Sequence, residues 1–572
     1  MNYWGRLTNS MTPLPHRLFL CLLLGFLQVT LFLYPNPVER DPSLLTEALV
    51  SQMTDEELLG QLFLVGYSSA EPSALLLEWI RSRGIGGVKI FGWNAEDLNR
   101  LYRSIQKMQE QSRKNRLKLP LFIATDQEGG WVRHVKGDTS ITPGNLALGA
   151  ARIPYDAYRT GYLIGKELKA LGINMNFAPT VDVYVNPDAH VIGPRAFSSD
   201  PALTGILGVA YYRGMAEAGI ICAAKHYPGH GNADEDSHGA LPVILDSFDT
   251  LWKRDLVPYR MLISEGIPAI LSGHLSFPKI TGDTLPSSLS PFFGTELLRN
   301  RLGFQGLLIT DDLYMSGANR GKTMAEVCIE AIEAGNDLLL LSKTPQLEDP
   351  IWKALVSKYR RDRAFHNRVL EAVRRIVKAK IHYLSQESDT PTDSLETPSL
   401  RAAASDSREF FLEQSARSVT LLKNSLSLIP YTPSKEERVL LAGPFKEFLR
   451  IGKTYFPQAE EFQFSYSPFY RAVPEEKRAF QRVSSASDTI IFCLANPNGL
   501  ELLRTLRGFK GKLIVFSILT PVYLREVPWI QTAIAVYGWG IDSFKAGFAV
   551  ITGGIPPLGK NPIETLFSEK VP

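Results

Sequence analysis

Three of the chain's nine histidines fall inside one stretch, KHYPGHGNADEDSHGALP, which begins at Lys225. His226, His230 and His238 share it with Asp234, Glu235 and Asp236. Three readings fit these residue types: a metal site, an acid/base device, or a solvated polar loop. His226 and His230 are four apart, which would place both on one helix face, as in helical zinc sites. Pro228 and Gly229 lie between them and Gly231 follows, and these residues break the helix that the spacing requires. The spacing therefore gives no support to a metal, and none is expected. Asp236 and His238 flank Ser237. A tight turn there lets the carboxylate accept a hydrogen bond from one imidazole nitrogen, which fixes the tautomer and raises the basicity of the other nitrogen. A histidine titrating near ~6.5 can both give and take a proton close to neutrality. Taken alone, Asp-x-His is equally at home in a polar loop, so the surrounding elements have to decide.

Those elements are short apolar runs separated by stretches of helical periodicity. The runs are LFLVGY from Leu62, GGVKIF from Gly86, LFIATD from Leu121, INMNFAP from Ile173, IICAAKH from Ile220, AILSGH from Ala269, LLITDD from Leu307 and DLLLLS from Asp337. Near-continuous apolar runs are the mark of parallel strands buried on both faces. Intervening segments such as AYRTGYLIGKELKALG and AEVCIEAIEAG have helical apolar spacing and end in glycine. Eight such repeats predict a (β/α)8 TIM-like barrel, whose chemistry belongs at the C-terminal ends of the strands. The runs turn polar there: Asp126 closes the third, Asp182 follows the fourth, Lys225 and His226 close the fifth, His274 the sixth, and Asp311 and Asp312 the seventh. One such residue would be an ordinary cap. Several converging on one rim predict a site.

Four segments follow. Residues 1–40 form an N-terminal signal or anchor segment, 41–383 the barrel catalytic domain, 384–404 a linker, and 405–572 a smaller C-terminal α/β sandwich domain. The first contains LFLCLLLGFLQVTLFL, Leu18 to Leu33, preceded by His16 and Arg17. No small-x-small cleavage site follows it, so it reads as an uncleaved anchor with the remainder exported to the periplasm or exterior, a cleaved signal peptide being the alternative. Thr54 and Glu57 in MTDEELLG form a capping-box pattern at the first barrel helix. SQESDTPTDSLETPSL, from Ser385, is rich in Ser, Thr, Pro and acid, as linkers are. Beyond it Ser407–Asn424 is expected to be helical, and RVLLAGPF, DTIIFCLA and KLIVFSIL to be buried strands. The tail shows no constellation of its own and reads as a structural or oligomerising domain.

Composition excludes some classes. The 572 residues are 45% hydrophobic and 21% charged, with a net charge of +3. Nucleic acid is not an expected partner, because that calls for a strongly basic face. The four cysteines, Cys21, Cys222, Cys328 and Cys493, are widely spread and imply neither a disulfide framework nor a metal knuckle.

Beside this reading, LLRNRLGFQGLLITDDLYMSGA, from Leu297, resembles the active-site signature of glycoside hydrolase family 3, in which an apolar strand leads through Ser or Thr to a nucleophilic aspartate. KHYPGHG followed by DSH resembles that family's β-N-acetylglucosaminidase branch. DQEGG at Asp126, NFAP at Asn176 and IGPRAFSSDP at Ile192 match as well, and SARSVTLLKN resembles the start of the family's second α/β domain. The resemblance implies Asp311 as nucleophile and His238 with Asp236 as acid/base dyad. It implies Asp126, Arg195, Lys225, His226 and the position of His134 as contacts to the sugar, and no cofactor. The family usually has an arginine where this chain has His134, with Arg133 beside it. Asn232 and Ala233 replace the usual Asp-Thr.

The implied activity is retaining hydrolysis of terminal β-linked N-acetylglucosamine from peptidoglycan fragments or chitooligosaccharides. The sequence leaves open which of these is the substrate, and whether water or phosphate is the acceptor. The alternatives are a β-glucosidase of the same family, a non-catalytic saccharide-binding protein and a metal-dependent hydrolase. Membrane contact is expected through the N-terminal segment only.

Overall fold

The computed structural model describes residues 42–234, 239–384, 397–466 and 472–564. The first barrel helix, Asp55–Gly60, opens at Thr54, whose hydroxyl accepts from the Glu57 amide at 3.2 Å. The Glu57 carboxylate accepts in turn from the Thr54 amide at 2.9 Å, completing the expected capping box.

All eight apolar runs are strands: β1 Phe63–Gly66, β2 Gly87–Lys89, β3 Phe122–Thr125, β4 Met175–Asn176, β5 Ile221–Tyr227, β6 Ala269–Ser272, β7 Leu307–Thr310 and β8 Leu339–Leu341. They pair in parallel in chain order, and β8 returns to β1 with Phe63 opposite Leu339. The ring closes between β7 and β8 through the Ile309–Leu338 bridge and the Thr310 amide, which donates to the Leu338 carbonyl at 3.0 Å. Every residue of the eight strands is buried. This explains their unbroken apolar character, and it means that Lys89, Lys225 and His226, which lie on strands, have to find partners inside the protein.

Helices cover the outside. Pro154–Ala170 starts with proline at its first turn, and Pro201–Glu217 is capped by the Asp200 carboxylate. Met324–Glu333 opens on a second capping box, Thr323 with Glu326. The helix Arg363–Leu384 completes the barrel.

The second domain is a six-stranded sheet of β9 Thr420–Asn424, β10 Val439–Gly443, β11 Glu460–Gln463, β12 Thr489–Leu494, β13 Lys512–Ile518 and β14 Thr532–Tyr537, in the order β9-β14-β13-β12-β10-β11. All neighbours are parallel except β9, which runs antiparallel to β14. Two expectations are corrected here. A helix spans Thr397–Ser418, so it begins inside the stretch expected to be linker. The helix expected to reach Asn424 stops at Ser418, because Thr420–Asn424 pairs with β14 as an edge strand. Residues 385–396 of the linker and the apolar run Leu18–Leu33 lie outside the described residues. Among the described residues, no helix is long and apolar enough to cross a membrane.

One apolar cluster joins the two domains. Leu146, Ala147, Ala150, Tyr184 and Ile192 of the barrel pack with Phe492, Val515, Ala533 and Tyr537 of the sheet. Polar ties reinforce it. The Arg417 guanidinium grips both oxygens of Asp156 at 3.0 Å. The Pro562 carbonyl accepts from the Ser199 amide at 3.0 Å and from the Ser198 hydroxyl at 2.6 Å.

Candidate active site

Charged side chains gather at the C-terminal rim of the barrel and neutralise one another in a chain. The Asp126 carboxylate, one residue past β3, receives the Lys225 ammonium at 2.5 Å on one oxygen and the Lys89 ammonium at 2.7 Å on the other. Lys225 also reaches Glu128 at 2.5 Å. The Arg195 guanidinium binds Glu128 through two parallel hydrogen bonds, from Nε at 2.9 Å and Nη2 at 2.7 Å, and the same Nη2 lies 3.1 Å from His226 Nε2. The His226 Nδ1 side meets the Asp182 carboxylate at 2.7 Å, which fixes the imidazole plane. Asp182 accepts as well from the amides of His226 and His230, the latter at 2.7 Å. β2, β3, β4 and β5 with their following loops thus supply one continuous network.

Asp311 stands directly after β7, and its amide donates to the Ser272 carbonyl of β6 at 2.9 Å. Its side chain accepts from the Asp312 amide at 2.8 Å. His274, after β6, is held by Ser288 Oγ at 2.7 Å on one side and by the Asp312 carbonyl at 3.0 Å on the other.

Burial alone would push all of these carboxyls up, because it penalises charge. The neighbours win. For Asp311 the fields of His226 and His274 and the Asp312 amide bring the carboxyl below its ordinary value. Lys225, Lys89 and His134 hold Asp126 well below its ordinary value. Asp182 falls to about 2 through His226 and the His230 side chain and amide. His134 and His230 are lowered as well, to about 4, each mainly through burial, helped by Lys89 at His134 and by the field of His226 at His230, so both imidazoles are neutral at physiological pH. The rim thus offers an ionised carboxylate at Asp311, ammonium and guanidinium donors fixed in place, and neutral imidazoles between them. Such an arrangement can orient a polyhydroxylated ring by charge-assisted hydrogen bonds and present a nucleophile to it.

Of the residues singled out from sequence, Asp126, Arg195, Lys225 and His226 are drawn into direct contact, and His134 lies 3.8 Å from Asp126. Asp311 stands at the same rim, within electrostatic reach of His226 and Asp126. Asp236 and His238 lie outside the described residues. Arg133 does not take up the place of the usual family arginine. It donates instead to the carbonyls of Val135 and Thr139, at 3.2 and 3.4 Å.

Sequence reasoning missed Lys89, which is a second cation on Asp126. It is 1% exposed and sits 2.7 Å from Asp126 and 3.4 Å from His134 Nδ1. A lysine inside the apolar run GGVKIF was the available signal. Glu128 and His230 were missed too, although both stand inside motifs already quoted.

The family model for the "Glycosyl hydrolase family 3 N terminal domain" matches residues 53–379 of this chain. The chain belongs to glycosyl hydrolase family 3. Among its curated relatives, beta-hexosaminidase A of Pseudoalteromonas piscicida is 37% identical over 282 residues, a match covering 46% of this chain and 47% of that protein. This chain therefore aligns with about half the length of that relative. The beta-hexosaminidase of Hydrogenovibrio crunogenus is 33% identical over 309 residues, 52% of this chain and 84% of its own length. Among solved structures, a glycoside hydrolase family 3 beta-N-acetylglucosaminidase from a Paenibacillus species superposes with TM-score 0.80 at 29% identity, covering 89% of this chain and 99% of that one.

Proposed function

We propose that this chain is a retaining β-N-acetylhexosaminidase that releases terminal β-linked N-acetylglucosamine. The observation that carries the proposal is the placement of Asp311: a half-buried carboxylate directly after β7, held below its ordinary value by the fields of His226 and His274, at the same barrel rim as the Asp126–Lys225–Arg195–His226 network. Asp311 attacks the anomeric carbon as the aglycone leaves, forming a covalent glycosyl-enzyme. His238, oriented by Asp236, protonates the departing oxygen and then deprotonates the incoming water. Asp126, Lys225, Arg195, His226 and His134 hold the sugar's hydroxyls, with Lys89 fixing Asp126. A neutral base in place of a second carboxylate avoids adding negative charge beside Asp311. The substrates are peptidoglycan fragments or chitooligosaccharides, met by the exported enzyme outside the cytoplasm.

The names of the relatives support the glycosidic bond class, and the rim geometry supports the roles. The test is Asp311→Ala assayed on an aryl N-acetylglucosaminide. A drop in kcat of about 10³-fold or more is expected, with the fold intact by circular dichroism. Hydrolysis at the wild-type rate would refute the assignment.

A further inference from the structure

Beside the charged rim, the barrel and the second domain together enclose a cavity of about 550 Å³. That is ligand-sized. It is continuous with the candidate site, because Arg195 and His230 line it. Arg195 touches His226, and His230 is only 3% exposed with an Nδ1 that has no partner among the described residues.

We propose that this cavity is the leaving-group site, and that it selects an uncharged saccharide aglycone over one carrying carboxylates. The proposal rests on the glycosidase reading above and narrows its substrate to neutral chito-type sugars.

Two observations on the cavity wall carry the argument. The first is aromatic. Trp131 is 40% exposed, and its indole is fixed edge-on by Tyr466, 5.8 Å away, and by Trp539, 5.6 Å away, both from the second domain. Trp539 is itself tied to the barrel by its indole N–H, which donates to the Gly130 carbonyl at 3.3 Å. On the opposite wall, Tyr523 stacks with His190 across the domain boundary at 5.8 Å. Rigid aromatic faces suit the C–H face of a pyranose ring, because they offer area at little entropic cost.

The second observation is charge. Asp188 and Asp234 are exposed and line the cavity. Among the described lining residues Arg195 brings the sole guanidinium or ammonium group, and Glu128 already holds it by two hydrogen bonds. A carboxylate on the aglycone would meet two like charges and, among the described lining residues, no cation free of a carboxylate partner, which is discrimination by repulsion. The second domain is thereby more than a support: it supplies half of the aglycone wall.

The test uses the full-length enzyme and four substrates: an aryl N-acetylglucosaminide, chitobiose, N-acetylglucosaminyl-anhydro-N-acetylmuramic acid with its lactyl carboxylate, and the same disaccharide as the lactyl amide. Chitobiose is expected to exceed the carboxylate substrate at least about tenfold in kcat/KM, and the amide to recover most of that gap. The gap should narrow as salt rises from about 0.05 to 0.5 M, because screening weakens the repulsion. Asp188→Asn combined with Asp234→Asn should shrink it at least about threefold. Tyr466→Ala should lower the ratio of chitobiose to aryl turnover about tenfold. Equal turnover of carboxylate and amide, or a Tyr466→Ala ratio at the wild-type value, overturns the proposal. An enzyme that hydrolyses the aryl substrate without discriminating aglycones sinks this proposal alone. One inactive on the aryl substrate sinks the glycosidase reading and this proposal together.

Discussion

The barrel strands and the four inner strands of the second sheet are alike in being apolar, yet they end differently. Around the barrel rim the chain leaves five of the eight strands on a charged or ionisable group: Lys89, Asp126, Lys225 with His226, His274, and Asp311. In the second domain the corresponding exits are Gly443-Pro444, Ala495-Asn496, Leu519-Thr520 and Gly538, all neutral. The difference shows that architecture alone does not make a site. Burying charge is costly, and the barrel bears that cost by pairing every cation of the rim with a carboxylate. The second sheet bears no such cost and can contribute only shape and aromatic area.

The comparison also appears in titration. At the rim, Asp126, Glu128, Asp182 and Asp311 are all lowered, so their stabilisation is present above the ordinary carboxylate range and is lost as pH falls below it. At the domain boundary Glu167 is raised to about 7, chiefly by burial, beside Ser140 and Ser407. Its contribution is full below the unfolded value and is lost as pH rises through the folded one.

Breaking the rim should cost most. Lys225→Met leaves Asp126 and Glu128 buried without their shared cation, and kcat/KM on an aryl N-acetylglucosaminide should fall about 10²-fold or more, with about 3–5 kcal/mol lost from stability by denaturant unfolding. A variant as stable and active as wild type would show that the network is not coupled. Lys89→Met is expected next, at about 10–100-fold in kcat/KM, since Asp126 keeps Lys225. Wild-type turnover would show that Lys225 alone suffices to hold Asp126. At the boundary, Glu167→Gln should gain melting temperature over wild type between pH 5 and pH 8, while the two coincide near pH 5. A constant offset would mean that Glu167 is charged throughout. Smallest is Arg417→Ala, about 1 kcal/mol in stability with aryl turnover within about threefold, because the ion pair to Asp156 is partly exposed.

The barrel was legible because strands buried on both faces cannot hide their apolar runs. The rim was legible wherever a run ended in charge. Lys89 escaped because it sits inside a run and not after it, where a lysine reads as a strand residue unless its partner across β3 is known. The second domain was harder to read. β11, EEFQ, is an exposed or half-buried edge with no apolar run to find. β9 follows its helix with a single residue, Val419, between them, so local pattern gave no sign of the switch. Only its antiparallel partner, more than a hundred residues later, fixes it as a strand.

The apolar cluster shared by the two domains also limits how the molecule can be divided. A barrel cut free after Leu384 would turn Leu146, Ala147, Ala150, Tyr184 and Ile192 toward water as one sticky face, inviting self-association. Anyone wishing to graft this catalytic ring onto another scaffold would first have to repaint that face with polar side chains, or carry its partner along.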